Sequence, residues 1–416
     1  MMEKRIGIIG GGAAGLFTAC LLKRFSDNDD IKVTVIEKNP VPGKKLTLTG
    51  HGRCNITNRK PVSELKKGYH EAENFLYPAL KEFGPEDTIS FFADQLGLKV
   101  KEEDNNRIFP VCDSAVKVRD TIVSYISDRT EMLCDTKVTD INRSSVFEVN
   151  TSRGKNEFDC LVMSCGGSSF PQTGSAGDSY RFAEGFGHTV ILPRAALAPV
   201  KADKESQVFT GRLSGVSLSA GVSVYCQERK TASCCGEMMF TDTGLTGPAV
   251  MELSREIPSD IKDKNIWIEL DLVPTMSDEE FDTGLQSLIR EHPDTKISTL
   301  LSRFVPASVA GEICSEAGVT GLYAQSFSKE NRKRIIKETK HLRIGIEREP
   351  SLDTAYVTRG GVTLKEIERK TFGSKIVPGL YIIGEAVDID GVSGGYNLQA
   401  CMSEAYLVTK DISGLK

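Results

Sequence analysis

Gly10-Gly11-Gly12-Ala13-Ala14-Gly15 lies between the β-rich run Arg5–Ile9 and a helical-looking stretch, GLFTACLLKR. A polar turn, SDNDD, follows, then a second β-rich run, KVTVIE, with Glu37 at its end, 22 residues after Gly15. G-x-G-x-x-G alone is a weak signal. Inside a strand–helix–strand unit closed by an acid at this distance it is a strong one for a dinucleotide site. Gly10 allows the tight turn, Gly12 lets a pyrophosphate approach the backbone, and Gly15 lets helix and sheet pack closely. The helix N-terminus adds N–H donors and positive potential. Glu37 is placed to accept hydrogen bonds from an adenosine ribose, and its charge disfavours a 2′-phosphate. The competing explanation is a glycine-rich turn without a ligand.

The same residues could be mistaken for a secretory leader, because MMEKR followed by IGIIGGGAAGLFTACLL has a basic head and an apolar body. Five of the seventeen residues 6–22 are glycines at specific spacing, which a strand, turn and helix explain better. No other long apolar run occurs, so the expectation is a cytoplasmic protein that does not enter a membrane. At 416 residues the chain suggests two domains or three. Its 52 basic and 57 acidic side chains leave a formal charge of −5, with no lysine- or arginine-rich block standing out. That composition argues against a nucleic-acid partner. Eleven cysteines without a repeated C-x-x-C spacing fit reduced thiols better than a disulfide framework.

Beyond Glu37 the chain runs through KNPVPGKK into KKLTLTGHGRCNITN, residues 44–58. This run admits three explanations: a metal site at His51 and Cys54, a glycosylated loop at the Asn55-Ile56-Thr57 sequon, or a backbone cradle for a ligand. A simple NAD dehydrogenase would continue into another helix and strand. An extended, glycine-punctuated segment instead suits FAD, with Thr49, Gly50, Arg53, Cys54 and Asn55 near its ribityl chain and ring.

Residues 114–129 read as a helix, EMLCDTKVTDI as a strand, and SVFEVNTS and FDCLVMSCGG as strands around RGKN. CLVMSCGG has the apolar run of a parallel strand, and PQTGSAGDSYRFAEGFGH reads as loop, helix and turn. Near the C-terminus, GLYIIGEAVDIDGVSGGYNLQACMSEAYL repeats the pattern: a strand ending in Gly384-Glu385, a glycine-rich loop, and a helix starting near Gly395. Residues 196–355 lack this rhythm. There, 213–227 alternate like a strand, ELDLVP ends another, MSDEEFDTGLQSLIREH is a helix capped by Ser277 and Glu280, and 297–340 look helical and charged. The expected domains are therefore 1–195 with 356–416, and an inserted 196–355 whose helical part spans about 276–340.

IGGGAAGL, GKKLTLTGHGRCNITN, MSCGGSSFPQTGSAGDSYRFAEGFGH, FTDTGLTGPA, TRGGVTLKEI and GLYIIGEAVDIDGVSGGYNLQA together resemble the BaiN-like, aminoacetone-oxidase-like bacterial FAD-binding flavoproteins. The resemblance spans nearly the whole chain. It implies an α/β fold: a Rossmann-like, two-dinucleotide-binding-type FAD domain with an inserted β-rich domain and a small helical part. Motifs and resemblance together give the expected cofactor set: Gly10, Gly12, Ala14, Gly15, Glu37, Lys38, Lys45, Thr49, Gly50, Gly52, Arg53, Cys54, Asn55, Val138, Gly166, Asp178, Gly384, Glu385, Gly395, Asn397 and Leu398. The resemblance places Val138 at the adenine, and Glu385, Asn397 and Leu398 beside the ribityl and ring. Two departures fall on the ring side: Phe240-Thr241-Asp242 where F-T-H is usual, and Val392 where a bulky aromatic is common.

Catalytic candidates are Tyr396, Asp242 and Cys54, each with a plainer alternative: a packed phenol, a helix cap before GLTGPAVMELS, and a small buried thiol. Cys234-Cys235 would bridge only with strain. No metal is expected, since His51 and Cys54 lack a second pair of ligands. The expected activity is reduction of an activated C=C or C=O on a small hydrophobic molecule through flavin hydride transfer; the alternatives are oxidation of a small aminoacetone-like amine with O2 and, behind it, RNA modification or binding. One fingerprint leaves NADH or NADPH as a transient electron donor. The sequence predicts that the purified protein is yellow and releases FAD on heating, since FMN needs neither Glu37 nor the pyrophosphate glycines. Chromatography of the released flavin as FMN would overturn this.

Overall fold

The computed structural model describes residues 3–25, 31–258 and 265–414, so the SDNDD turn expected at 26–30 lies outside the described residues. The chain divides into two compact units, Met1–Arg194 with Tyr356–Lys416, and Ala195–Ala355.

The first unit is built on β1 (Lys4–Ile9), α1 (Ala13–Phe25), β2 (Ile31–Ile36), β3 (Thr130–Leu133), β4 (Cys160–Met163), β5 (Leu380–Ile382) and α2 (Tyr396–Ile412). The strands form one parallel sheet in the order β5-β4-β1-β2-β3. In register, Ile6 lies between Cys160 and Val33, and Ile9 between Met163 and Ile36. Continuous burial of Ile6–Ile9, Val33–Ile36 and Cys160–Met163 shows a sheet covered on both faces. α1 and α2 pack against each other and are buried along most of their length. This is the Rossmann-type α/β architecture expected from the fingerprint.

Two expected strands prove to be composite. EMLCDTKVTDI supplies β3 and then Val138–Arg143, which starts a separate antiparallel sheet with Phe147–Thr151 and Gly154–Phe158. The break is at Asp135, whose φ of 50° turns the chain. There Asp135 N donates to Asn39 O (3.0 Å) and Thr136 N to Glu37 O (3.0 Å). FDCLVMSCGG likewise gives its first residue to that sheet and only Cys160–Met163 to the parallel one. Asp159 marks the change: its N–H donates to Arg5 O (2.9 Å) and its carboxylate accepts from Arg5. A single-strand periodicity cannot register such a handover, because β-forming residues stand on both sides of it.

KKLTLTGHGRCN is coiled rather than extended. Leu46–Gly52 forms 3₁₀ turns broken at Gly50 and His51, both with φ of 56°. The segment then enters a small antiparallel sheet ordered Thr57–Asn58, Arg107–Pro110, Val100–Glu103.

The second unit is a six-stranded antiparallel sheet: Val200–Lys201, Gly244–Thr246, Arg229–Thr241, Ser217–Cys226, Ile266–Asp271, Leu342–Gly345. Helices Asp278–Glu291, Ile297–Leu301, Ala307–Glu316 and Lys329–Lys340 complete a separate apolar core. The capping box at Ser277 and Glu280 forms as expected. The strand expected over 213–227 starts only at Ser217, after the helix Lys204–Arg212 and a turn.

The tightest constraint in the first unit is at Gly15, where an added Cβ would lie 2.1 Å from Gly10 O and 2.7 Å from Ser164 Oγ. Gly15→Ala should therefore destabilise the protein by about 1–3 kcal/mol, as overpacking does, lowering the thermal midpoint. An unchanged midpoint would show that α1 can shift outward without cost.

Candidate cofactor and active site

The fingerprint loop is shaped by its neighbours. Gly10 N donates to Ile36 O (2.8 Å), and Ser164 Oγ donates to Ile9 O (3.0 Å) and Gly10 O (3.1 Å). α1 begins behind Gly12, which has no side chain to cap it, so its first N–H groups are left for a ligand. A Cβ built on Gly12 meets nothing within 4 Å, which is the open cradle a pyrophosphate requires. Glu37 is buried, and accepts from Gly11 N (2.7 Å), Asn39 N (2.7 Å) and Asn39 Nδ2 (2.7 Å). A carboxylate has about four acceptor sites, so one remains for a ribose hydroxyl. Lys38 and Asp178 form an ion pair with each other, tying the end of β2 to the helix Asp178–Gly185. Ser179 on that helix donates to Gly166 O (3.0 Å). Val138 is buried at the start of its strand.

The GHGRCN loop is clasped to the start of α2. With its amide oriented to satisfy its neighbours, Asn55 accepts from Gly395 N (3.1 Å) and donates to Thr57 O (3.0 Å) and Ile108 O (3.1 Å). Gly395 caps α2 without a side chain, at φ 98°, and a Cβ there would lie 2.5 Å from Thr57 O. Only glycine fits. Gln399, fully buried, accepts from Thr57 Oγ1 (2.6 Å) and Thr88 Oγ1 (2.9 Å) and donates to Phe83 O (3.1 Å). Asn397 holds both backbone groups of Gly391 at 2.9 Å, and Leu398 is buried beside it. Asn55 is buried at 8% exposure, which removes the glycosylated-loop explanation.

Arg53 is directed elsewhere than expected. Its guanidinium binds Glu103 and donates Nε to Asp113 Oδ1 (2.9 Å), with Phe109 stacked at 4.3 Å. The Arg53 guanidinium holds Glu103 below the usual carboxylate range. Arg53 thus braces the small antiparallel sheet with its side chain. Cys54 is buried, and burial pushes its thiol up to about 12, so it is not a thiolate near neutral pH. His51 is exposed, and among the described residues no group of three or more His, Cys, Asp or Glu side chains is arranged to hold a metal. All eleven cysteines are free.

Lys45 and Glu385 meet: Lys45 Nζ donates to Glu385 Oε1 (2.9 Å), Glu385 Oε2 (3.0 Å) and Ser169 Oγ (2.6 Å). Ser169 donates to Glu385 Oε2 (2.8 Å), and Thr358 Oγ1 donates to Ser169 Oγ (3.0 Å). Thr49 Oγ1 donates to Leu46 O (2.7 Å), and Gly52 lies in open space. Tyr396 packs edge-on against Tyr69 (5.6 Å), whose hydroxyl donates to Tyr396 O (2.9 Å). Burial raises the Tyr69 phenol well above its ordinary value. Asp242 is in an exposed hairpin turn between Arg229–Thr241 and Gly244–Thr246. It caps no helix, correcting the cap expectation: the next helix, Pro248–Leu253, starts at Gly247.

Three participants carried no sequence signal. Ser169 and Gln399 lie inside glycine motifs but off the glycines. His70 interrupts a 3₁₀ segment at φ 51° and ψ −126°, 3.9 Å from the buried Asp390. A non-glycine residue there costs on the order of 1–3 kcal/mol and clusters at functional sites. Its turn is held by Val392 N, which donates to Gly68 O (2.9 Å).

Glu404 on α2 is 1% exposed; Oε2 accepts from Gly384 N (2.5 Å), and Oε1 has no hydrogen-bond partner among the described residues. Burial pushes this acid up to about 8, against the opposing pull of the Gly384 N–H. Between the unfolded carboxyl range and about pH 8 the folded state holds a proton that the unfolded state has lost, so stability falls as pH rises through that window. Glu404→Gln should remove this dependence: its advantage in thermal midpoint over wild type should grow from pH 5 to pH 9. A difference that stays flat with pH would assign Glu404 a charge in the fold throughout.

Set against known proteins, residues 4–411 match the model of the HI0933-like protein Rossmann domain. A ribosomal RNA dihydrouridine synthase from Haemophilus influenzae is 32% identical, the match covering 98% of each chain. A 3-dehydro-bile acid delta(4,6)-reductase from Clostridium scindens is 29% identical over 97% of each. A 3-ketosteroid delta1-dehydrogenase from Sterolibacterium denitrificans shares the fold with a TM-score of 0.53, 11% identity and 99% coverage of both chains. Among the described residues no helix is long and apolar enough to cross a membrane. The chain belongs to the HI0933-like Rossmann-domain family of FAD-dependent oxidoreductases.

Proposed function

We propose that the chain reduces a carbon–carbon double bond conjugated with a carbonyl group, and that this bond is the 5,6-bond of a uracil ring in RNA. The observation that carries the proposal is that two relatives matching end to end are named for saturating such a bond, in uridine and in a bile-acid dienone. The RNA substrate is favoured because the 32% relative bears that name. A polycyclic dienone is the second candidate, supported by the 29% relative.

The residues present fit FAD. Gly10, Gly12, Ala14 and Gly15 at the start of α1 would hold its pyrophosphate, Glu37 its ribose, and Val138 its adenine edge. Lys45, Glu385, Asn397 and Leu398 would flank the ribityl and ring, and the N-terminus of α2 would favour negative charge there. Bound and reduced, with NADH or NADPH as the proposed electron source, FAD supplies the hydride for the β-carbon. The chain must then deliver a proton to the α-carbon and keep water away. We assign that proton to His70, which is beside Asp390 and held in a strained turn.

Anaerobic turnover with NADPH and deproteinised ribosomal RNA, read as dihydrouridine by mass spectrometry, tests this. His70→Gln should lower kcat roughly 10²-fold, the usual worth of a general acid, with FAD content unchanged. Saturation of a steroid dienone but not of RNA would move the substrate to the second candidate. Flavin reduction by aminoacetone with peroxide release would make the protein an oxidase.

A further inference from the structure

We infer that the exposed face of the helix Lys329–Lys340, in the second unit, binds the phosphate backbone of RNA. This rests on the RNA substrate proposed above and names the surface that would hold it. Lys329, Lys333 and Lys337 recur at four-residue intervals and so share one side of the helix, with Arg334 flanking them. All four are exposed. Lys329 and Lys333 make no hydrogen bond or ion pair among the described residues. Arg334 binds the neutral Asn331 amide of its own helix, and Glu330, four residues before it, is not its ion-pair partner. Lys337 meets only the adjacent Glu338, at 3.2 Å.

The cations that hold the fold are at other positions of the same helix. Arg332 pairs with Asp282 at 2.5 Å, and the buried Lys340 pairs with Asp271 at 2.7 Å. Ile335 and Thr339 face the core. Lys329 and Lys333 therefore neutralise no acid of the unit among the described residues, and these exposed cations gather in a chain whose net charge is −5. A solvated helix face ordinarily interleaves the two signs as i,i+4 pairs; this one sets four cations against two acids, Glu330 and Glu338, and among the described residues only Lys337 pairs with either. An anionic membrane is the poorer partner, because a surface-bound helix must offer an apolar face to the lipid and Ile335 is fully buried in the protein. Backbone phosphates need only cations on a rigid support.

The test uses the FAD-loaded protein, deproteinised ribosomal RNA, and filter binding from roughly 50 to 200 mM salt. The triple variant Lys329→Glu, Lys333→Glu, Arg334→Glu should bind about tenfold or more weakly. Its plot of log affinity against log salt should be shallower by about 2, at about 0.7 for each phosphate no longer neutralised. Flavin content and thermal midpoint should match wild type; if they do not, Lys329→Gln with Lys333→Gln serves in its place, and charge-preserving Lys→Arg changes should restore binding. Unchanged affinity and slope in the variant would overturn the inference, as would a wild type that does not bind RNA, or a variant that loses affinity for phosphatidylglycerol vesicles but not for RNA. Undiminished dihydrouridine formation by the variant at limiting RNA would remove this surface and leave the proposed reaction standing. RNA held through this face without any uracil reduction would support the surface and defeat the reaction.

Discussion

Two helices of the first unit begin behind glycines that cannot cap them, and much of the site's construction follows from that. A helix N-terminus leaves four N–H groups without partners, and a serine or aspartate would normally satisfy some of them. Gly12 and Gly395 supply no such group. The unsatisfied donors are a reason for the protein to bind an anionic, carbonyl-rich ligand. They must also be held still before the ligand arrives. Ser164 fixes the first loop; Asn55, Asn397 and Gln399 fix the second. The cost of leaving the ends bare is offset by polar side chains around them.

The sequence exposes the backbone logic of this arrangement more clearly than its side-chain logic. G-x-G-x-x-G between strands, and the strand–glycine–helix repeat at the C-terminus, are local patterns, because backbone geometry is set within a few residues. Arg53 shows where locality fails. Its partners Glu103 and Asp113 are 50 and 60 residues further on, and no spacing rule connects them. The composite strands at Asp135 and Asp159 escape a local reading for the same reason. What turns the chain there is a bond to the end of β2 or to β1, made only once the sheet exists. Asp242 reads as a cap from the residues after it, yet a hairpin competes with a helix there and wins through the pairing of Arg229–Thr241 with Gly244–Thr246.

Charge is the other quantity that cannot be taken from the sequence alone. A formal −5 sums over the whole surface and over pairs that cancel internally. Lys340 and Arg332 neutralise buried or half-buried acids, whereas Lys329 and Lys333, on the same helix, neutralise nothing among the described residues. KENRKRIIKETK reads as a charged helix in either case; which cations remain available depends on which residues pack. Glu404 is the converse case: an acid that counts as −1 in the sum, but that burial favours in its neutral form up to about pH 8.

The chemistry suggested by the two named relatives bears on where selectivity must reside. Uracil and a bile-acid dienone share a conjugated carbonyl and little else: one is a single polar ring tethered to a polyanion, the other part of a polycyclic carbon skeleton. On the proposed assignment the cradle around Gly12, Glu37 and Gly395 would be occupied by the cofactor, and Asn55, Asn397 and Gln399 hold the cradle, so none of these would distinguish the two. Discrimination has to come from groups that make no structural bond of their own. A polymer offers many phosphates for each reactive base, so surface cations can supply affinity while the reacting site supplies only the geometry of the double bond. A helix face on which Lys329 and Lys333 pair with nothing among the described residues would suit that division of labour.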